Sequence, residues 1–291
     1  MYERILVPTD GSTVAEAAAD AGVELARRFG AEIHAVNVVR TDDGPPGETD
    51  ERGDELVRMG REAVAAVEDR AADAGVEATT AVIEDAKPVH RALLEYVDDH
   101  DVDAVVMGTY GRSGFDRFVV GSVAERTLRE SPVPVVTVHG ETVVGPEFDA
   151  VLAPTDGSDA ALAAVEHAAE FALATGATLH VVHVIDSTAA TAGTGAAAVL
   201  DALEEAGQAA LDDAVDRAEA VGVGDVETSL LRGSPHRAVL DYAGDHGADA
   251  VVMGTHGRTG IQRYLLGSVT ERVVRHAEVP VVATGTSEDT E

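Results

Sequence analysis

The chain is written twice. Ile5-Leu6-Val7-Pro8-Thr9-Asp10-Gly11-Ser12 returns as Val151-Leu152-Ala153-Pro154-Thr155-Asp156-Gly157-Ser158. Asp103-Ala104-Val105-Val106-Met107-Gly108-Thr109 returns as Asp249-Ala250-Val251-Val252-Met253-Gly254-Thr255. Asp10 and Asp156, Gly108 and Gly254, and Gly121 and Gly267 are each 146 positions apart, so one shift aligns the start and the end of both copies. That period is far longer than the roughly 20–50 residues of a solenoid unit, so a whole domain has been duplicated. The 291 residues agree with two domains at roughly 100–200 residues each. The join falls near His139 to Phe148, a stretch holding Gly140, Gly145 and Pro146. One domain is therefore expected over residues 1–140 and the second over 147–286.

Within the first copy, strand and helix patterns alternate. Glu3–Val7 is an apolar run and reads as a buried strand. Thr13–Phe29 carries small apolar residues at helical spacing and stops at Gly30. Glu32–Val39 is a second strand, and Arg40–Gly53 reads as a loop rich in Gly, Pro and acids. Glu55–Ala74 is helical, Val76–Ile83 a third strand, and Pro88–His100 a helix with proline in its first turn. Val102–Met107 is a fourth strand, Val123–Arg129 a short helix, and Val133–Val138 a fifth strand.

This alternation calls for a parallel sheet with helices on both faces, an α/β fold. Right-handed crossovers leave few topologies, and the doubly wound order 3-2-1-4-5 fits best. It is Rossmann-like and puts the fifth strand at an edge. Pro132 and Pro134 suit an edge, because proline cannot donate to a ladder. A Val-rich edge needs a cover. The matching edge of the other copy is the simplest one, so a pseudo-twofold pair inside one chain is expected.

Composition narrows the function. There are 53 acidic residues against 21 basic ones, a net charge of −32. Such a field repels phosphate backbones, so nucleic acid and anionic membranes are poor partners. Lys87 is the only lysine; every other basic residue is arginine. An acidic, lysine-poor surface resembles that of proteins from cells holding molar salt, where the Debye length shrinks to about 3 Å. Aromatics are only 3% and tryptophan is absent, which leaves few platforms for stacking single-stranded bases. The absence of cysteine excludes disulfides and thiol chemistry. Met1-Tyr2-Glu3-Arg4 leads straight into a strand without a signal-peptide pattern, and no apolar run nears the ~18 residues of a membrane helix. A soluble, cytoplasmic protein is expected.

In a doubly wound sheet, ligands bind beyond the carboxyl ends of the strands, where strand order reverses. Here that point lies between Asp10, ending strand one, and Gly108, ending strand four. Strand four runs into Gly108-Thr109-Tyr110-Gly111-Arg112, and Gly121-Ser122 follows. The second copy has Gly254-Thr255-His256-Gly257-Arg258 and Gly267-Ser268. Glycines let backbone N–H groups approach a phosphate, and a helix N-terminus favours an anion. Arg112 and Arg258 can add charge-assisted contacts. A purely structural account also exists. Ser122-Val-Ala-Glu125 and Ser268-Val-Thr-Glu271 match capping boxes, and the glycines could simply shape the loop.

The spacing Gly-x2-Gly-x9-Gly-Ser after an apolar strand resembles the hallmark of nucleotide-binding universal stress proteins. The opening Ile-Leu-Val-Pro-Thr-Asp-Gly-Ser and the closing Pro-Val-Pro-Val-Val resemble that family's first and last strands. The resemblance spans about Met1–Val138 and Phe148–Thr284. It implies ATP as the ligand, with AMP or ADP as related ones, and Mg²⁺ only together with nucleotide. It implies that Asp10 and Asp156, with backbone near Val38 and Val184, hold the adenine end. It further implies that Met107, Gly108, Gly111, Gly121, Ser122 and Val123 line the ribose and phosphates. Met253, Gly254, Gly257, Gly267, Ser268 and Val269 would do so in the second copy. Family dimers pair through their fifth strands, which suits the edge argument and also admits a homodimer of chains. One departure stands out: the second copy has Arg232-Gly233-Ser234-Pro235 where the first has Ala86-Lys87-Pro88-Val89, without the glycine.

Other candidates have plainer readings. His90-Arg91 and His236-Arg237 read as a solvated helix face. His180 and His183, three apart on a strand, point to opposite faces and so do not suggest zinc. Asp42, Asp43 and Asp186 follow strand two in their copies and read as loop acids. Ser12 and Ser158 read as helix caps rather than nucleophiles. No catalytic or metal-ligating set emerges. The expectation is an ATP-binding stress-response protein acting as a sensor or switch with an unknown protein partner. The alternatives are a nucleotide-free dimerisation scaffold or a slow ATP hydrolase.

Overall fold

A computed structural model describes residues 1–40, 49–85, 87–111, 120–140, 142, 144–186, 196–257 and 266–285. The chain divides into two units, Met1–Pro146 and Glu147–Glu291.

The first unit runs β1 (Arg4–Pro8), α1 (Thr13–Phe29), β2 (Glu32–Arg40), α2 (Thr49–Asp73), β3 (Ala78–Asp85), α3 (Val89–Asp99), β4 (Ala104–Gly108), α4 (Ser122–Glu130) and β5 (Val135–Val138). Its sheet is parallel in the order β3-β2-β1-β4-β5. The second runs β6 (Ala150–Pro154), α5 (Asp159–Thr175), β7 (Thr178–Ile185), α6 (Ala196–Val221), β8 (Val226–Arg232), α7 (Pro235–Asp245), β9 (Ala250–Gly254), α8 (Ser268–His276) and β10 (Val281–Thr284). It repeats the order as β8-β7-β6-β9-β10. The expected α/β class and strand order are thus observed in both copies.

Strand period explains why helices cover both faces. His34 and Asn37 are three apart on β2. His34 bonds Tyr96 of α3, whereas Asn37 packs against Gly60 of α2, so those helices lie on opposite faces. On β7, His180 reaches Tyr242 of α7 and His183 packs against Gly207 of α6. Buried on both sides, the central strands are nearly pure apolar runs: Ile5, Leu6 and Val7 are fully buried, as are Val105 and Val106. Pro134 donates nothing to the ladder, but its carbonyl accepts from Val105 N–H at 2.9 Å; Pro280 serves Val251 likewise at 3.0 Å.

Local signals set the helix ends. Ser12 Oγ accepts from Ala15 N–H and Ser158 Oγ from Ala161 N–H, each at 3.3 Å. Both serines are caps, as read from the sequence. Gly30 and Gly176 close α1 and α5 in the left-handed conformation. Two expectations are corrected. Helix α2 begins at Thr49, so Gly53 sits inside a helix rather than in the preceding loop. Acidic residues around Gly53 favour a helix start, and that outweighs the roughly 1 kcal/mol penalty of one interior glycine. The solvated face assigned to His90 is also wrong: His90 is buried, with Nε2 3.5 Å from Glu130 of α4, because α3 and α4 pack together there. Asp42 and Asp43 lie outside the described residues, as does Ala86. No described helix is long and apolar enough to cross a membrane.

Candidate functional site

Strand order reverses between β1 and β4, and a cleft opens there in the first unit. It encloses about 300 Å³ and is walled by Thr9, Asp10, Val36, Asn37 and Val38 from one side of the sheet. Met107, Gly108, Tyr110 and Gly111 close the other side, with Gly121, Ser122 and Val123 from the start of α4 and Val89 and Leu93 from α3. The second unit repeats it at about 280 Å³, between Thr155, Asp156, Val182 and Val184 on one side and Met253, Gly254, His256 and Gly257 on the other. Gly267, Ser268 and Val269, with Pro235 and Val239, complete that wall. Every described candidate residue thus lies at one of the two clefts. Arg112 and Arg258 lie outside the described residues.

Each aspartate is fixed by the turn that follows its strand. Asp10 Oδ1 accepts from Ser12 N–H at 2.9 Å, and Asp156 Oδ1 from Ser158 N–H at 3.0 Å. In the second copy, Ser158 Oγ also donates to Asp156 Oδ1 at 2.6 Å. The other carboxylate oxygen faces a glycine. A Cβ at Gly111 would stand 2.7 Å from Asp10 Oδ2, and one at Gly257 would stand 2.5 Å from Asp156 Oδ2. Part of the glycine pattern therefore serves the aspartate rather than a ligand directly: only a residue without a side chain lets the loop after β4 close on that carboxylate.

The start of α4 supplies the anion-ready element. Gly121, not Ser122, is the N-cap residue, and a glycine has no side chain with which to cap the helix. The same holds for Gly267 ahead of Ser268. The capping-box reading of both serines is thereby corrected: Ser122 and Ser268 are the first helical residues. Gly121 N–H donates to Thr109 O at 2.7 Å and Gly267 N–H to Thr255 O at 2.8 Å, which ties each glycine to the loop after the fourth strand. The first intrahelical bonds are Glu125 N–H to Gly121 O and Glu271 N–H to Gly267 O. The N–H groups of the residues between, Ser122 to Ala124 and Ser268 to Thr270, are thus the ones that a helix start leaves without intrahelical partners. They stand at the cleft, where the positive end of the helix dipole favours an anion.

Some residues of the clefts were not singled out from sequence. Asn37 Nδ2 donates to Thr9 O at 2.7 Å and locks the ends of β1 and β2 together. The clue was the one amide within the otherwise apolar stretch Ala35–Val39 of β2. Tyr110 and His256 occupy equivalent positions and differ between copies. Thr109 Oγ1 pairs with His139 Nδ1 at 3.0 Å, whereas Thr255 Oγ1 pairs with His256 Nδ1 at 2.9 Å. The two sites share a floor and an anion end but not every wall.

Fold and site together define a duplicated doubly wound α/β protein with an anion-ready cleft at each topological switch point. The pattern that defines the universal stress protein family matches residues 1–139 and again 147–284, and the chain belongs to that family. Universal stress protein MJ0531 of Methanocaldococcus jannaschii is 37% identical over 138 residues, covering 46% of this chain and 81% of that protein. A universal stress protein of Mycolicibacterium smegmatis is 32% identical over 183 residues, covering 61% of this chain and 60% of that one. The crystal structure of a universal stress protein from Archaeoglobus fulgidus superimposes with a TM-score of 0.72 at 27% identity, over 98% of this chain and 97% of that one.

Proposed function

We propose that each unit binds an adenine nucleotide, ATP foremost, in the cleft between β1 and β4 or between β6 and β9, and that the protein acts as a nucleotide-dependent sensor or switch. One observation carries the reading: an aspartate, spaced glycines and unpaired helix-start N–H groups meet at the switch point of the sheet, twice in one chain. Asp10 and Asp156 take the adenine end with backbone near Val38 and Val184. Met107, Gly108, Gly111, Gly121, Ser122 and Val123 take ribose and phosphates, with Met253, Gly254, Gly257, Gly267, Ser268 and Val269 in the second copy. Arg112 and Arg258 add contacts to the phosphates. Mg²⁺ enters with the nucleotide, held mainly by phosphate oxygens and water. Occupancy changes the loops that follow β4 and β9, and a protein partner reads that change.

The test is to purify the protein in high salt, identify any small molecule it carries, and titrate the emptied protein with ATP by calorimetry. Saturable binding at one or two sites supports the reading. Folded protein that carries no nucleotide and gives no heat at millimolar ATP overturns it and leaves a dimerisation scaffold.

A further inference from the structure

Each copy carries a cluster away from its cleft, where the third helix of the copy ends against the second strand. In the first copy, His34 Nδ1 stands 2.9 Å from the Tyr96 hydroxyl, and the Tyr96 ring stacks on His100 with centroids 3.8 Å apart. In the second, His180 Nδ1 stands 3.1 Å from the Tyr242 hydroxyl, and Tyr242 stacks on His246 at 3.7 Å. The strand histidines and the tyrosines are buried, whereas His100 and His246, which cap α3 and α7, are exposed. Duplication explains this likeness.

Duplication does not explain the acid. In the first copy Glu32 Oε1 lies 2.8 Å from His34 Nε2. Thr178 stands at the equivalent place in the second copy. There the acid comes from β8 instead: Glu227 Oε2 lies 3.6 Å from His180 Nδ1, whereas β3 sets Thr79 beside His34. The carboxylate has changed edges on the imidazole.

The edge matters because the tyrosine uses Nδ1. A carboxylate only accepts, so Glu32 fixes the proton of neutral His34 on Nε2 and leaves Nδ1 to accept from Tyr96. A second proton on His34 strengthens the Glu32 bond, and the Tyr96 hydroxyl turns to accept from Nδ1 without losing its place. In the second copy, Ser229 Oγ donates to the Tyr242 hydroxyl at 3.4 Å, which directs the tyrosine's own proton toward Nδ1 of neutral His180. A proton taken from solvent makes that Nδ1 a donor with two acceptors in reach, and the carboxylate forms the stronger, charge-assisted bond. Glu227 is largely exposed, so its side chain can swing in to take that bond.

The charged groups facing His180 are Glu227 of β8 and His246 at the end of α7, and β6 sets Leu152 beside it. Burial holds the His180 pKa below its ordinary value; Glu227 opposes that shift and His246 adds to it. The neutral, tyrosine-bonded form is thus the resting one.

We propose that Nδ1 of His180 is a proton-operated catch on α7: neutral, it holds Tyr242; protonated, it passes to Glu227 and releases the helix, whereas the first copy, with its acid on the far edge, keeps α3 fastened. Helix α7 supplies Pro235 and Val239 to the second cleft, so acid loosens a wall of that cleft alone.

The experiment is backbone amide exchange on the whole chain in high salt, at about pH 7.5 and about pH 5.5, on either side of the ordinary histidine range, with rates corrected for intrinsic chemistry. The readout is the protection of α7 relative to α5 and of α3 relative to α1. Acid should lower the relative protection of α7 roughly five- to tenfold, the effect of one lost hydrogen bond, and leave α3 within about twofold. In E227Q, α7 should also hold within about twofold, because an amide offers no charge-assisted bond. His167 and His236 remain in that variant, so any effect of acid through either of them persists there and is told apart. A wild type whose α7 keeps its protection overturns the catch, as does one whose α3 and α7 loosen equally; neither comparison needs a variant. An E227Q protein whose α7 loosens in acid as much as wild type overturns it too.

Discussion

The Cβ that Gly111 lacks would stand 2.7 Å from Oδ2 of Asp10. The loop after β4 and the end of β1 are thus a single fitted piece, and the same fit recurs between Gly257 and Asp156. A methyl group at either glycine has to displace a carboxylate that the following turn holds from its other oxygen.

Gly111→Ala should therefore cost about 1–3 kcal/mol of stability by overpacking, and should weaken nucleotide binding at the first cleft by moving Asp10. Thermal unfolding together with an ATP titration checks both. Unchanged stability with unchanged stoichiometry would show that the carboxylate swings away freely.

Gly121→Val or Gly267→Val should remove binding at its own cleft only. A Cβ at Gly121 already stands 3.3 Å from Tyr110 Cα, and one at Gly267 stands 3.2 Å from Thr255 O, so a branched side chain pushes the helix start off the loop. Calorimetric stoichiometry should drop by one site in each single variant. An unaltered isotherm would refute the assignment of that helix start to the ligand.

Ser12 and Ser158 are both caps, but only Ser158 donates its hydroxyl to the neighbouring aspartate. Replacing either by Ala should lower stability by about 1 kcal/mol. Ser158→Ala should in addition weaken the second cleft more than Ser12→Ala weakens the first. Equal effects on the two sites would show that the Ser158–Asp156 bond does not shape the ligand contact.

Acid should destabilise the second unit through His167 on α5. Burial lowers its pKa from 6.5 to about 4. Above pH 6.5 both folded and unfolded forms hold it neutral. As pH falls from 6.5 toward 4 the unfolded chain binds a proton that the folded one refuses, so stability is lost across that window. The loss is on the order of 3 kcal/mol at most. His167→Leu should flatten the unfolding free energy between pH 6.5 and 4, measured by denaturant titration; curves that run parallel to wild type would exclude the residue as the source.

Much of this protein was legible in one dimension because duplication and strand composition are one-dimensional properties. Strands buried on both faces must be apolar runs, and caps such as Ser12 and Gly30 act within a few residues, so the elements, their order and the place of the cleft followed from local pattern and chirality. The helix start at Thr49 escaped because a glycine near acids is ambiguous until the rest of the helix is seen. His90 escaped for a different reason. Whether a polar residue on α3 meets water or Glu130 depends on how α3 and α4 pack, and no spacing along the chain encodes that. Tertiary structure alone also decided why Gly111 is a glycine: the reason is a carboxylate about a hundred residues earlier, and its distance became defined only when β1 and β4 lay side by side.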